Sequence, residues 1–193
     1  MAALQQNIPK IILASKSPRR QELLKLMDLE FRIVLKEVDE SYPAYLKPEE
    51  IAVYIAQKKA EAFDEVVGNE VVLTADTIVS IDGHILGKPE TTEHAVEMLK
   101  MLSGKTHQVI TGVCLLYQNK YHSFFDVSDV SFRVLNEEEI RTYVDKYQPM
   151  DKAGSYGIQE WVGLTGIEKI NGSYTNVVGL PTEKLYKELR KLL

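Results

Sequence analysis

Apolar positions along the chain alternate between short continuous runs and helical spacing. Lys10 to Ala14 is a short apolar run and reads as a strand. Ser17 and Pro18 then mark a helix start, with the serine as N-cap and the proline in the first turn. Leu23, Leu24, Leu26 and Met27 give that helix an apolar side, and Phe31 to Leu35 reads as a second strand. Pro48 opens a longer helix that the spacing carries to about Val66. Its buried stripe is Ile51, Ala52, Ile55, Ala56, Ala60 and Phe63.

Beyond it, Val71 to Ala75 reads as a buried strand. Ile78 to Ile81 and His84 to Leu86 flank Asp82-Gly83, a strong hairpin signal. Thr92 to Leu102 is helical, with Gly104 just past its end. Val109 to Tyr117 and Ser123 to Val134 read as paired strands, and Asn136 to Tyr147 as a helix with an acidic start that suits its dipole. Gly157 to Val178 is expected to hold short strands around a second hairpin signal, Asn171-Gly172, before a closing helix over Pro181 to Leu193. Helices and strands alternate early and hairpins dominate later. The expected fold is therefore α/β, with a mixed twisted sheet flanked by helices.

Composition narrows the function classes. The 193 residues suit one large domain or two small lobes. A net charge of −5 argues against a non-specific nucleic-acid binder, whose affinity comes from a basic surface. Cys114 is the single cysteine, so no internal disulfide can form, which fits a reducing compartment. Met1 to Lys10 lacks the charged-then-apolar order of a signal peptide, and no apolar run approaches bilayer length. The expected location is the cytoplasm, with no membrane partner.

Candidate chemistry gathers at a few points. Ala14-Ser15-Lys16-Ser17-Pro18-Arg19-Arg20 lies between a strand and a helix. Arginines in a first helical turn are disfavoured by the dipole, and a bound phosphate would reverse that sign. The same turn can be a solvated helix start with surface arginines, and the residues leave both readings open. Asp76, after a buried run, can bind a divalent metal or act as general base towards water; taken alone it reads first as a turn residue bonding to nearby backbone amides. Glu37-Val38-Asp39-Glu40 is an acidic cluster. One of its carboxylates paired with Asp76 would suffice for Mg²⁺, which takes few carboxylates plus substrate phosphates. Lys59 shares the helix face of Ala52, Ala56 and Phe63, so it either snorkels to water or reaches into a site. Gly83 to Lys88 resembles a P-loop only superficially, because the spacing is one residue short and Pro89 follows the lysine. His84, His94, His107 and His122 show no metal-ligand pairing. Cys114 reads as core, and Trp161 as pocket lining or core alike.

Taken in order, these segments resemble the Maf family of nucleotide pyrophosphatases. The matching stretches are Ala14 to Arg20, Val38-Asp39-Glu40, Gln57-Lys58-Lys59-Ala60, Ala75-Asp76-Thr77, Gly87-Lys88-Pro89, Leu102-Ser103-Gly104, Asp151 to Gln159 and Val178-Gly179-Leu180-Pro181. The resemblance implies a single Maf-like domain over 1–193. It implies two lobes around a cleft, similar to the inosine-triphosphate pyrophosphatases, and a homodimer. It also implies hydrolysis between the α- and β-phosphates of a nucleoside triphosphate, dependent on a divalent cation, Mg²⁺ or Mn²⁺. Asp76 matches the family's proton acceptor, Glu40 an acidic residue near the metal, and Ser15, Arg19, Arg20, Lys59 and Lys88 its phosphate-facing positions. Arg19, Thr77 and Gln159 resemble the combination of the dTTP/UTP branch, and the family's link to removal of modified nucleotides extends the expected substrates to modified pyrimidine nucleotides. Family members are linked to cell-division arrest as well. A nucleotide-binding division regulator with little turnover is therefore the alternative expectation.

Overall fold

The computed structural model describes residues 8–63 and 69–192. Its elements run β1 (Ile11–Leu13), α1 (Pro18–Leu26), β2 (Phe31–Ile33), α2 (Pro48–Glu61), β3 (Val71–Ile81), β4 (His84–Leu86), α3 (Thr92–Leu102), β5 (Thr106–Tyr117), β6 (Lys120–Phe132), α4 (Glu137–Tyr147), α5 (Trp161–Gly166), β7 (Ile167–Asn171), α6 (Tyr174–Val178) and α7 (Thr182–Lys191). Local chemistry sets many of these boundaries. The Ser17 hydroxyl accepts from the Arg20 amide at the start of α1, and the Thr91 hydroxyl from His94 N at the start of α3. Asn136 and Glu139 exchange side-chain-to-backbone hydrogen bonds in a capping box that opens α4. Asp82 and Gly83 both have positive φ, 50° and 80°, as a two-residue hairpin requires. Gln118 and Asn119 do the same, at 49° and 58°, between β5 and β6.

Among the described residues, seven strands form one mixed sheet in the order β2-β1-β3-β5-β6-β7, with β4 on β3. β1 is parallel to both neighbours, Leu13 lying level with Ile33 and with Leu73. β4 is antiparallel to β3, and β7 to β6. The expected mixed sheet with flanking helices is thus present.

Four sequence expectations need correction. The runs Val71 to Ala75 and Ile78 to Ile81 are one strand, so Asp76 stands inside β3 and not at a strand end. A polar pair interrupts the apolar pattern there without interrupting the extended backbone. The side of α1 that is buried is Leu23 and Leu24; Leu26 is 74% exposed and Met27 half-buried. The long helix ends at Glu61, and the stretch 64–66 assigned to its end lies outside the described residues. Gly157 to Val178 holds two short helices and a single strand. Asn171-Gly172 does not turn a hairpin, because Ser173 caps α6 by accepting from Asn176 N and Gly172 sits at φ 133°, against Ser128.

The chain divides into two compact units, the first made of Met1–Asp76, Thr111–Asp126 and Gly179–Leu193, the second of Thr77–Ile110 and Val127–Val178. In the first, Ala56 and Ala60 of α2, with Phe63 just past its end, pack on Ile12, Val72, Cys114 and Leu116. Cys114 is core, as its apolar strand suggests, and burial pushes its thiol up to about 11. The helix approaches unusually closely at Gly112, where a Cβ would overlap the Ala52 carbonyl group. The buried Thr74 hydroxyl donates to Ala56 O at 2.6 Å and fixes the same helix along its axis. In the second unit, α3 and α4 bury Val96, Leu99, Leu102, Ile140 and Val144 against Val79, Val109 and Phe132. His107 lies in this core with Nε2 2.7 Å from the Tyr156 hydroxyl; burial pushes it down to about 4, so it is neutral. No helix of the described residues is long and apolar enough to cross a membrane.

Gly112→Ala should destabilise the protein by about 1–3 kcal/mol or more, because overpacked backbone cannot move aside as a flexible side chain can. Chemical denaturation measures this, and an unchanged midpoint would mean that α2 is free to shift outward.

Candidate active site

In the first unit the parallel strands run in the order β2-β1-β3, so the chain leaves β1 to one side through α1 and returns on the other through α2. Open α/β sheets bind ligands outside the carboxyl ends of the strands at such a reversal. The parallel register ends with Leu13 beside Leu73, and the next residues on each chain carry the candidate chemistry. After β1 the backbone turns sharply into α1. Ser15 is buried in that turn, its Oγ accepting from Ser17 N at 3.2 Å and from Arg20 Nη1 at 3.1 Å.

Arg20 ties three segments together. Its Nε donates to Gly179 O at 2.8 Å, just before α7, and its Nη1 donates to Ala75 O at 2.8 Å, beside Asp76. Burial pushes the guanidinium below its ordinary value; Asp76 draws it back up, Arg19 pushes it down and Glu40 draws it up. The same four residues therefore share one electrostatic neighbourhood. Arg19, half-buried, is the second residue of α1, at the positive end of the helix dipole.

The acidic half of the site converges on one ammonium. Lys59 reaches from α2 to place Nζ 2.7 Å from Asp76 Oδ1 and 3.0 Å from Glu40 Oε1. Its side chain is 17% exposed and that of Asp76 14%, against 49% for Glu40. Lys59 thus reaches into the site and does not snorkel away from it. Its neighbour Lys58 takes the other branch, pairing at 3.1 Å with Asp39. Hydrogen bonds from the Ser41 hydroxyl and amide, with Lys58, hold the Asp39 carboxyl down at about 2, so Asp39 is a fixed partner in its own loop.

The structure therefore gathers Ser15, Arg19, Arg20, Glu40, Lys59 and Asp76 within one unit. Thr77, Lys88 and Gln159 belong to the other. Thr77 is the half-buried next residue of β3, and Lys88 and Gln159 are exposed. The loops of the last two are joined through Gly154, whose amide donates to Gly87 O at 3.0 Å. Gly154 has φ 68° and packs so closely on Val79 that a Cβ would stand 2.9 Å from a methyl carbon.

Two hard oxygen donors, Glu40 and Asp76, already meet at one cation, and that donor set suits Mg²⁺ or Mn²⁺ completed by phosphate and water. No group of three or more His, Cys, Asp or Glu among the described residues is placed to hold a metal unaided. The pattern of basic turn and paired carboxylates suits an anionic ligand together with a divalent cation. Sequence reasoning gave no role to the Gly179 carbonyl or to the residues around Gln159. Val178-Gly179-Leu180-Pro181 stood out only as a stretch matching the family, and nothing in it signalled an arginine partner.

Comparison with known proteins bears on this arrangement. The chain matches the Maf-like protein family over residues 10–192. It is 57% identical over 185 residues to the dTTP/UTP pyrophosphatase of Bacteroides thetaiotaomicron, covering 95% of this chain and 96% of that one. It is 53% identical over 178 residues to the dTTP/UTP pyrophosphatase of Flavobacterium psychrophilum, covering 92% and 91%. Among solved structures, the Staphylococcus aureus Ham1 protein aligns with a TM-score of 0.53 at 14% identity, over 95% of this chain and all of that one. That likeness is one of fold.

Arg20→Lys should lower stability by about 1–3 kcal/mol, since an ammonium cannot reproduce a fork that reaches Gly179, Ser15 and Ala75 together. Urea titration measures the loss; wild-type stability would show that these bonds contribute nothing net.

Proposed function

This chain is a member of the Maf family, and on that premise we propose that it hydrolyses dTTP and UTP to the nucleoside monophosphate and pyrophosphate. The observation that carries the reading is the convergence of Glu40 and Asp76 on Lys59, beside the Ser15–Arg20 turn at the switch point of the sheet. Relatives that share more than half of their residues with this chain, and are named for this activity, support the substrate assignment.

The chemistry follows from the residues. A triphosphate brings several negative charges, which Arg19, Arg20 and Lys59 offset; Lys88 matches a further phosphate-facing position of the family. Glu40 and Asp76 would hold a Mg²⁺ or Mn²⁺ ion, which supplies neutralisation of phosphate charge when bound. Arg20 acts chiefly by holding Ser15 and the Ala75–Asp76 backbone in place, while Arg19 and the Ser15 turn meet phosphate oxygens. The second carboxylate role is basic: Asp76 takes a proton from the water whose oxygen bonds to the α-phosphorus. The bond from that phosphorus to the bridging oxygen breaks, and pyrophosphate leaves with the electron pair. Gln159 and Thr77 select the base, the carboxamide both donating and accepting at a pyrimidine edge. The enzyme works in the cytoplasm as a homodimer.

Asp76→Asn retains the size of the side chain but removes its basicity. Turnover of dTTP should fall by about 10²- to 10⁴-fold while binding persists, measured by monophosphate release and by calorimetric titration. Near-normal turnover would remove Asp76 from the reaction. Binding of dTTP to the wild-type protein with no release of products would favour the division-regulator reading instead.

A further inference from the structure

Gln159 sits on a turn braced by groups that the proposed reaction leaves unused. Glu160 N donates to Gly157 O at 3.0 Å, which closes a tight turn with Ile158 and Gln159 between them. Ile158 is buried and Gln159 exposed, so one residue anchors the turn and the other is presented outward. Tyr143, on α4 and almost fully buried, reaches both ends of this turn with one atom. Its hydroxyl oxygen accepts from Gly157 N at 3.1 Å and its proton is donated to Glu160 Oε2. The other oxygen of that carboxylate, Oε1, stands 3.1 Å from Lys152 Nζ, which also pairs with Asp151 at 2.7 Å. Glu160 thus has a neutral donor on one oxygen and a cation on the other, the pairing that an inward-facing carboxylate needs.

Close packing leaves this turn little freedom. A Cβ on Gly157 would stand 2.8 Å from Glu160 Cδ, and one on Gly163 would overlap the Ile158 carbonyl. α5 begins directly at the turn, with Leu164 N donating to Glu160 O at 3.0 Å. Burial, reinforced by Glu160, pushes the Tyr143 hydroxyl above its ordinary range, so it remains a proton donor across the neutral range.

We infer that Tyr143 and Glu160 are positioning residues for base selection: by fixing the two ends of the 157–160 turn they hold the Gln159 backbone, and so the point from which its carboxamide reaches the base, in one place. The inference rests on the reading of Gln159 as the residue that meets the base. A carboxamide has a donor end and an acceptor end, so it discriminates between pyrimidines best when it meets the base edge from a fixed point. dTTP carries a carbonyl at the ring position where dCTP carries an amino group, and this pair reads out that placement directly.

The test compares kcat/KM for dTTP and dCTP in the wild type, Tyr143→Phe, Glu160→Gln, Gln159→Ala and the double variant Gln159→Ala/Tyr143→Phe. The dTTP/dCTP ratio does not depend on what fraction of the protein is folded, because both values scale with active enzyme. It should fall about three- to tenfold in Tyr143→Phe and in Glu160→Gln, the range of one misaligned hydrogen bond. In the double variant it should fall no further than in Gln159→Ala alone. A ratio unchanged in both bracing variants, with Gln159→Ala lowering it, would overturn the inference and leave the proposed function standing. Independent, multiplying effects in the double variant would overturn it too. A ratio that Gln159→Ala itself does not move would overturn the role of Gln159 and the inference with it.

Discussion

The backbone of Ala52 in α2 lies directly over Gly112 in β5, and the candidate site depends on that approach. A side chain at Gly112 would lift α2 off the sheet. Lys59 lies two helical turns further on and must span from the helix to Asp76 in β3. The run of small residues, Ala52, Ala56 and Ala60, and the bond from Thr74 to Ala56 O keep the helix at that depth. Packing in the first unit thereby sets an electrostatic geometry: two carboxylates that would repel each other are drawn to one ammonium.

That triad is balanced by a second framework built around Arg20. A partly buried guanidinium is costly unless its donors are met, and here Nε and Nη1 are met by Ser15 Oγ and by two backbone carbonyls from distant parts of the chain. The outcome is a turn whose shape is fixed by a cation before any anion arrives. Preorganisation of this kind reduces the reorganisation needed when charge develops during phosphoryl transfer. Arg19, next in line on α1, has the same charge in the first helical turn, where the dipole favours a bound anion.

Much of this was legible in the sequence where local chemistry decides the outcome. Ser17-Pro18 and Asp82-Gly83 each specify a backbone geometry within four residues. The buried stripe of α2 followed from spacing, but whether Lys59 snorkels or reaches inward did not; its contacts with Asp76 and Glu40 decide that. Legibility failed where long-range contacts decide. Nothing near Asp76 says that β3 runs on through it, because that depends on strands far away in sequence. Asn171-Gly172 matched a hairpin signal, yet the Ser173 cap and the close contact with Ser128 impose a helix start. The roles of Gly179 and Tyr143 were likewise invisible, since each meets its partner from another part of the chain, Arg20 for the one and Glu160 for the other. The candidate residues were chosen by type, order and resemblance; which of them stand together required coordinates.

The central claim is that the cluster around Asp76 directs water to the α-phosphorus of a pyrimidine nucleoside triphosphate. Hydrolysis of dTTP in ¹⁸O-labelled water tests it most directly, with the products resolved by mass. The account predicts dTMP carrying the label and unlabelled pyrophosphate. Label in pyrophosphate would put the attack on the β-phosphorus, and release of dTDP with orthophosphate would contradict the assigned reaction altogether.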